Sequence, residues 1–175
     1  MVARWDLLKR FSVAGMMLIV VMSLAACASV GTPAARRRFD PGAAAFINIE
    51  GRASISGQAV VRETNGKLLR AVGTDIFLIP RTAYSEERVA ALYGEGDKLK
   101  WGARVPDAEP LYKQYQRKTV ASSAGSFRFD HVADGSYFIV AMIFLPGEYV
   151  ANEFPILERV TVANGKSVRV IMRGY

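Results

Sequence analysis

Gly125-Ser126-Phe127-Arg128-Phe129-Asp130, followed by Ala133-Asp134-Gly135 and then Tyr137-Phe138-Ile139-Val140-Ala141-Met142-Ile143-Phe144-Leu145, is where the fold class becomes readable. The first run alternates, with Phe127 and Phe129 on one side and Arg128 on the other, the period-2 pattern of a half-buried strand. Asp134-Gly135 turns the chain. The second run is apolar on both sides, Ile139, Ala141 and Ile143 against Phe138, Val140 and Met142, until Pro146-Gly147 ends it. A strand without alternation needs cover on both faces.

The same grammar extends outward in both directions. Ser54 to Arg62 places Ile55, Ala59 and Val61 on one face, with Gly57 as a bulge or a point of close approach. Glu63-Thr64-Asn65-Gly66 is a turn, and Gly73 to Pro80 is a second doubly apolar strand, Ile76 and Leu78 opposite Phe77 and Ile79. Phe46-Ile47-Asn48-Ile49 alternates ahead of Gly51. Downstream, Ile156–Val162 and Ser167–Met172 flank Ala163-Asn164-Gly165, and Asn-Gly between alternating runs predicts a closing hairpin. About seven strands result, enough for an all-β, Ig-like two-sheet sandwich.

Residues 81–117 interrupt the strand pattern. Ser85 is placed to cap a helix over Glu86–Tyr93, whose acids Glu86 and Glu87 suit its positive end. Asp107 is placed to cap a second helix running through Tyr112 and Tyr115. The doubly apolar strands give these helices, or a second copy of the chain, a surface to cover.

The N-terminus has a different character. Arg4, Lys9 and Arg10 precede sixteen uncharged residues, Phe11 to Ala26, that end at Cys27. A spanning helix needs about 20 apolar residues, so the run is short for one. Leu24-Ala25-Ala26-Cys27 resembles the lipobox of bacterial lipoproteins, an aliphatic residue and two small ones before cysteine. The resemblance implies that residues 1–26 are a signal peptide removed before Cys27, and that the thiol carries a diacylglyceryl group. Residues 27–45 then read as lipidated cysteine and flexible tether, rich in Ala, Gly and Pro. The sandwich domain is expected over 46–175. Ala28 and Ser29 follow the cysteine where lipoproteins kept at the inner membrane often carry Asp, so the expected address is the outer membrane, facing the periplasm.

Gly125-Ser126-Phe127-Arg128-Phe129 with Gly135-Ser136-Tyr137 resembles the G-x-F-x-F and G-x-Y signature of carboxypeptidase regulatory-like and transthyretin-like domains of the prealbumin type. The likeness covers about residues 53–82 and 118–172. It implies that Gly135 makes a turn with positive φ, and that Tyr137 packs its ring while its hydroxyl stays hydrogen-bonded. The enzymatic branch of that fold uses several histidines and a C-terminal Tyr-Arg-Gly-Ser. This chain has His131 alone and ends Met172-Arg173-Gly174-Tyr175.

Composition narrows the function further. One cysteine excludes an intramolecular disulfide, and one histidine excludes a His-rich metal cluster. Three bases against Asp6 in the first 26 residues account for part of the net +7, leaving +5 scattered among acids. That is not the footprint of a nucleic-acid binder. Asp130-His131 has no nucleophile in spacing, and no phosphate loop or dinucleotide fingerprint appears. The expectation is a membrane-anchored, non-enzymatic binding or structural module of the cell envelope, without cofactor or metal. Its partners are the bilayer, through acylated Cys27, and an envelope protein or glycan, since open sheet edges accept a partner's strand. The alternative is a glycan- or peptidoglycan-binding module that stacks sugars on Tyr84, Tyr93, Trp101, Tyr112 and Tyr115. A hydrolase stands third.

Overall fold

The computed structural model describes residues 37–62, 66–93, 99–100, 103, 105, 107–144 and 153–174. The expected signal segment, Leu24-Ala25-Ala26-Cys27, the expected tether as far as Arg36, and Trp101 lie outside the described residues. Among the described residues no helix is long and apolar enough to cross a membrane.

Eight strands are described: β1 (Ala53–Arg62), β2 (Leu68–Arg70), β3 (Asp75–Pro80), β4 (Arg117–Val120), β5 (Ser126–Val132), β6 (Gly135–Phe144), β7 (Glu153–Val162) and β8 (Val168–Gly174). They form two four-stranded sheets, as the alternating runs predict. In the first sheet β1 is central. β5 pairs antiparallel along its first half and β2 along its last residues, while β8 runs parallel to it. The Ala59 N–H donates to Gly125 and its carbonyl accepts from Ala71, so β5 and β2 lie end to end on one edge of β1. The second sheet has the order β4-β3-β6-β7, antiparallel throughout.

Between the sheets lies one core, built from Ile55, Ile76, Leu78, Phe127, Phe129, Tyr137, Ile139, Val162 and Met172 among others. Gly57 is a point of close approach rather than a bulge. A Cβ there would stand 2.6 Å from the Phe127 ring and 2.7 Å from the Val170 carbonyl oxygen. The bulge lies instead opposite Ala53 and Ile55, where the register slips, and His131 takes φ 54 beside it. Histidine tolerates the left-handed region better than most side chains. Tyr137 is fully buried and its hydroxyl donates to the Ala133 carbonyl at 2.9 Å, as the prealbumin resemblance implies.

Three expectations are corrected. The Asn164-Gly165 turn has both residues at positive φ, as a tight hairpin would. Yet β7 pairs with β6 and β8 pairs with β1, so the turn carries the chain from one sheet to the other. The Gly165 N–H donates to Asp134 Oδ1 (2.8 Å), and Ser167 Oγ accepts from the Ser54 N–H (2.9 Å), fixing that crossing. Second, the folded body begins before residue 46. Asp40 caps a short helix α1 (Pro41–Ala44) by accepting from the Gly42 N–H at 2.9 Å, with Pro at its start. Third, residues 45–48 form a 3₁₀ turn, not a strand. Ile47 is buried in the core, and the Phe46 ring packs edge-on against Tyr137 at 5.2 Å.

Candidate binding surface

The inserted segment explains the doubly apolar strands. Helix α2 (Ala83–Tyr93) starts three residues earlier than the sequence suggests. The Ser85 N–H donates to Thr82 Oγ1 and the Thr82 N–H to Ser85 Oγ, a reciprocal cap that makes Thr82 the first capping residue and buries Ser85. The helix lays Val89, Leu92 and Tyr93 on Phe138, Val140, Leu157 and Ile79, the outward side of the β3 sheet. The Tyr93 hydroxyl donates to the Pro155 carbonyl at 2.6 Å. The guanidinium groups of Arg81 and Arg159 lie 5.2 and 5.8 Å from the centre of the Phe138 ring, closing the row.

The second inserted helix, α3 (Pro110–Gln114), is not capped by Asp107. Glu109 precedes it, and its side chain accepts from the Phe39 N–H at 3.0 Å. The Phe39 ring meets Tyr84, Tyr112 and Tyr115 edge-on at 5.6, 5.4 and 5.3 Å. The Tyr84 hydroxyl accepts from the Glu109 N–H.

These contacts overturn the reading of the tyrosines as stacking platforms. Tyr84, Tyr93 and Tyr112 keep only 8, 4 and 7% of their surface. Tyr115 is half-buried against Phe39, and Trp101 lies outside the described residues. The rings that looked free for sugars hold the chain's own entry segment and its insertion to the sandwich. Burial pushes the Tyr112 hydroxyl up to about 12, against the neighbouring Arg88 guanidinium and with some help from Tyr84. Tyr93 is raised for the same first reason, with Arg159 opposing.

The outward side of the β1 sheet is different. Register sets its rows: Arg128–Ser56–Arg169, then Ser126–Gln58–Ile171, then Arg70–Val60–Arg173, and finally Leu68–Arg62. All five arginines are exposed, as are Leu68 (56%) and Ile171 (50%). Arg128 pairs with Asp130 at 2.6 Å. Among the described residues Arg62, Arg70, Arg169 and Arg173 have no carboxylate partner. The centre, on β1, is floored by Ser56, Gln58 and Val60. At its β2–β8 end a shallow open groove of about 350 Å³ is lined by Gln58, Val60, Arg62, Leu68, Ile171 and Arg173. Sequence reading scattered these arginines along the chain. Only the register of three strands brings them to one face.

Among the described residues His131 is paired with Glu50 and not with a nucleophile. Its ring is 70% exposed and its Nδ1 lies 3.3 Å from Glu50, while Asp130 is taken by Arg128. Among the described residues no three His, Cys, Asp or Glu side chains gather to hold a metal. The edge of β5 is also obstructed. The Arg117 guanidinium donates to the carbonyls of Asp130 and His131, and the His131 carbonyl also accepts from the Gly51 N–H.

Together these features define an all-β sandwich with one covered face and one open, arginine-lined face. Among solved structures the chain is similar to a candidate carbohydrate-binding protein from Pseudomonas aeruginosa, with a TM-score of 0.65 and 20% identity over 79% of this chain and 99% of that one. It is more distantly similar to the minor pilin of Streptococcus agalactiae (TM-score 0.37, 16% identity, 70% of this chain and 44% of that one). The full-length major pilin of Corynebacterium diphtheriae gives a TM-score of 0.31 at 12% identity, over 78% of this chain and 32% of that one. No family model matches the chain, and no curated protein sequence does.

Proposed function

We propose that this chain is a lipid-anchored, non-enzymatic binding module of the bacterial cell envelope, a prealbumin-type sandwich held to a membrane through acylated Cys27. The observation that carries the reading is Leu24-Ala25-Ala26-Cys27 closing an uncharged sixteen-residue run, Phe11 to Ala26, with Arg4, Lys9 and Arg10 ahead of it. A thiolate at that point is the nucleophile a diacylglyceryl transfer requires. One acyl chain binds a bilayer marginally and two or more hold it stably, at about 0.8 kcal/mol per buried methylene. Ala28 and Ser29 favour the outer membrane over the inner one, with the body in the periplasm.

Binding rather than catalysis is supported by the open face of the β1 sheet, which gathers charge without an acid–base pair or an enclosed pocket. The Pseudomonas aeruginosa neighbour is described as a candidate binder of carbohydrate, and at 20% identity that likeness speaks for the fold. Metabolic labelling with a palmitate analogue tests the anchor. The native chain should take up label and lose residues 1–26, while Cys27→Ser should carry no label and persist as precursor. Label retained on the serine variant would remove Cys27 from the account.

A further inference from the structure

We propose that the outward face of the β1 sheet binds an acidic, carboxylate-bearing polysaccharide laid along β1 between two lines of arginine. Arg169 and Arg173 stand on β8, four residues or about 13 Å apart along the strand. Arg128 and Arg70 stand on the opposite side of β1, two strand spacings or about 10 Å across. Register places them in facing pairs, Arg128 with Arg169 across Ser56 and Arg70 with Arg173 across Val60. Ser56, Gln58 and Val60 of β1 lie between them, and the groove lies at the Val60–Arg173 end.

Charge complementarity chooses the occupant. Of the four facing guanidinium groups, those of Arg70, Arg169 and Arg173 have no carboxylate partner among the described residues, while Arg128 is shared with Asp130; held on a sheet, they are suited to fork-like recognition of carboxylates. The groove is open rather than enclosing, and the facing arginine pairs repeat along β1 instead of converging on one point. The aliphatic surfaces of Val60, Leu68 and Ile171 lie between the charges and offer a partner to the CH-rich face of a sugar ring. No aromatic side chain belongs to these rows, so the face lacks the stacking platform on which single-stranded nucleic acids depend. Ion pairs are left as the principal attraction, which selects a charged glycan over a neutral one.

Placement argues against a headgroup surface as the occupant. The described chain begins at Arg37, whose N–H donates to Glu87 on α2, and Phe39 is clasped by the inserted tyrosines. That is the β3-sheet side of the sandwich, opposite the arginines. The proposal rests on the envelope reading for the compartment in which face and glycan meet.

The test uses the full acylated chain in detergent micelles with polygalacturonate as probe. Fully methyl-esterified polygalacturonate and vesicles with about one third phosphatidylglycerol serve as comparisons. Binding to polygalacturonate should weaken at least tenfold in Arg169→Gln/Arg173→Gln, and weaken steeply with added salt. Arg38→Gln/Lys113→Gln removes the same charge on the other side and should leave binding within twofold. The esterified polymer should bind at least tenfold more weakly than the acid. Absence of native binding, equal losses in both double variants, or vesicle binding that falls with Arg169→Gln/Arg173→Gln as far as polygalacturonate binding does would each overturn the glycan assignment. Because acylation at Cys27 is read separately by label, none of these outcomes touches the anchor.

Discussion

On the β3 sheet the outward side chains of Phe138, Val140 and Leu157 pack against helix α2, whereas the middle row of the β1 sheet, Ser126–Gln58–Ile171, stands open. Both sheets present similar apolar inner faces to one core, so the difference between them is carried by every second residue. Phe138 is 1% exposed on the covered side, and Ile171 is 50% exposed on the bare side. One outer face is spent on holding the insertion and the entry segment in place. The other contributes little to that and is left to carry charge.

The largest expected break in this contrast comes from Phe138→Ala. Its ring lies between α2, Arg81 and Arg159 over the β3 sheet, and removing it leaves a cavity under the helix. A loss of about 3–5 kcal/mol is expected, read as a lower urea midpoint with an unchanged m-value. A loss below about 1 kcal/mol, the size of an ordinary surface change, would mean that α2 does not cover this sheet.

Phe39→Ala is next. The ring makes three edge-on contacts with tyrosines, and its backbone N–H donates to Glu109, a bond that the substitution leaves in place. About 3 kcal/mol is expected, the low end for a buried phenylalanine. Protease cleavage within residues 37–52 should become faster. Unchanged melting and cleavage would return the domain boundary to residue 46, where composition puts it.

That boundary shows what the chain discloses of itself and what it withholds. The strands were legible because alternation is local: Phe127-Arg128-Phe129 announces one face, and the unbroken run through Ile139–Ile143 announces that something covers the other. The covering helix was legible for the same reason, although Thr82 takes the capping role that Ser85 was assigned. The entry segment was not, because residues 28–45 have a linker's composition and hide a single anchoring ring at Phe39. Asp40-Pro41 ahead of Gly-Ala-Ala was the available signal, a capping acid before a proline at the first helical position. The tyrosines were misread because spacing does not say whether a ring meets solvent or another ring. The arginine face was hidden for a third reason. Arg70, Arg128 and Arg173 become neighbours only once β1 has chosen its partners, and the parallel β8 pairing cannot be inferred from an Asn-Gly turn that predicts the antiparallel one.

A smaller effect separates the two faces by pH. Burial pushes Tyr112 up to about 12, opposed by Arg88 and aided by Tyr84; it pushes Tyr137 up to about 12, opposed by Arg117 and aided by Asp134. The unfolded chain ionises its tyrosines near pH 10. Between pH 10 and 12 the folded state therefore holds protons that the unfolded state has released, and stability falls as pH rises. Below pH 10 this contribution is fully present. Denaturant midpoints measured from pH 8 to 11.5 should decline above 10, and Tyr112→Phe should decline less steeply than the native chain. Parallel curves for the two would show that Tyr112 is not shielded as described.

Ile171→Ala should have the smallest effect on folding, within about 0.5 kcal/mol of the native chain. Half of the side chain already meets water, and its row neighbours Gln58 and Ser126 are polar. The Gln58 amide donates to the Ala124 carbonyl at 2.8 Å and does not depend on Ile171. A cost near that of Phe138→Ala would mean that the β1 sheet is covered in solution, by a second copy or by residues 1–36, and the contrast between the faces would disappear. A near-zero cost keeps the face open. Its exposed apolar and cationic side chains then do not owe their presence to the core, which leaves contact with something outside the chain as the physical reason for them.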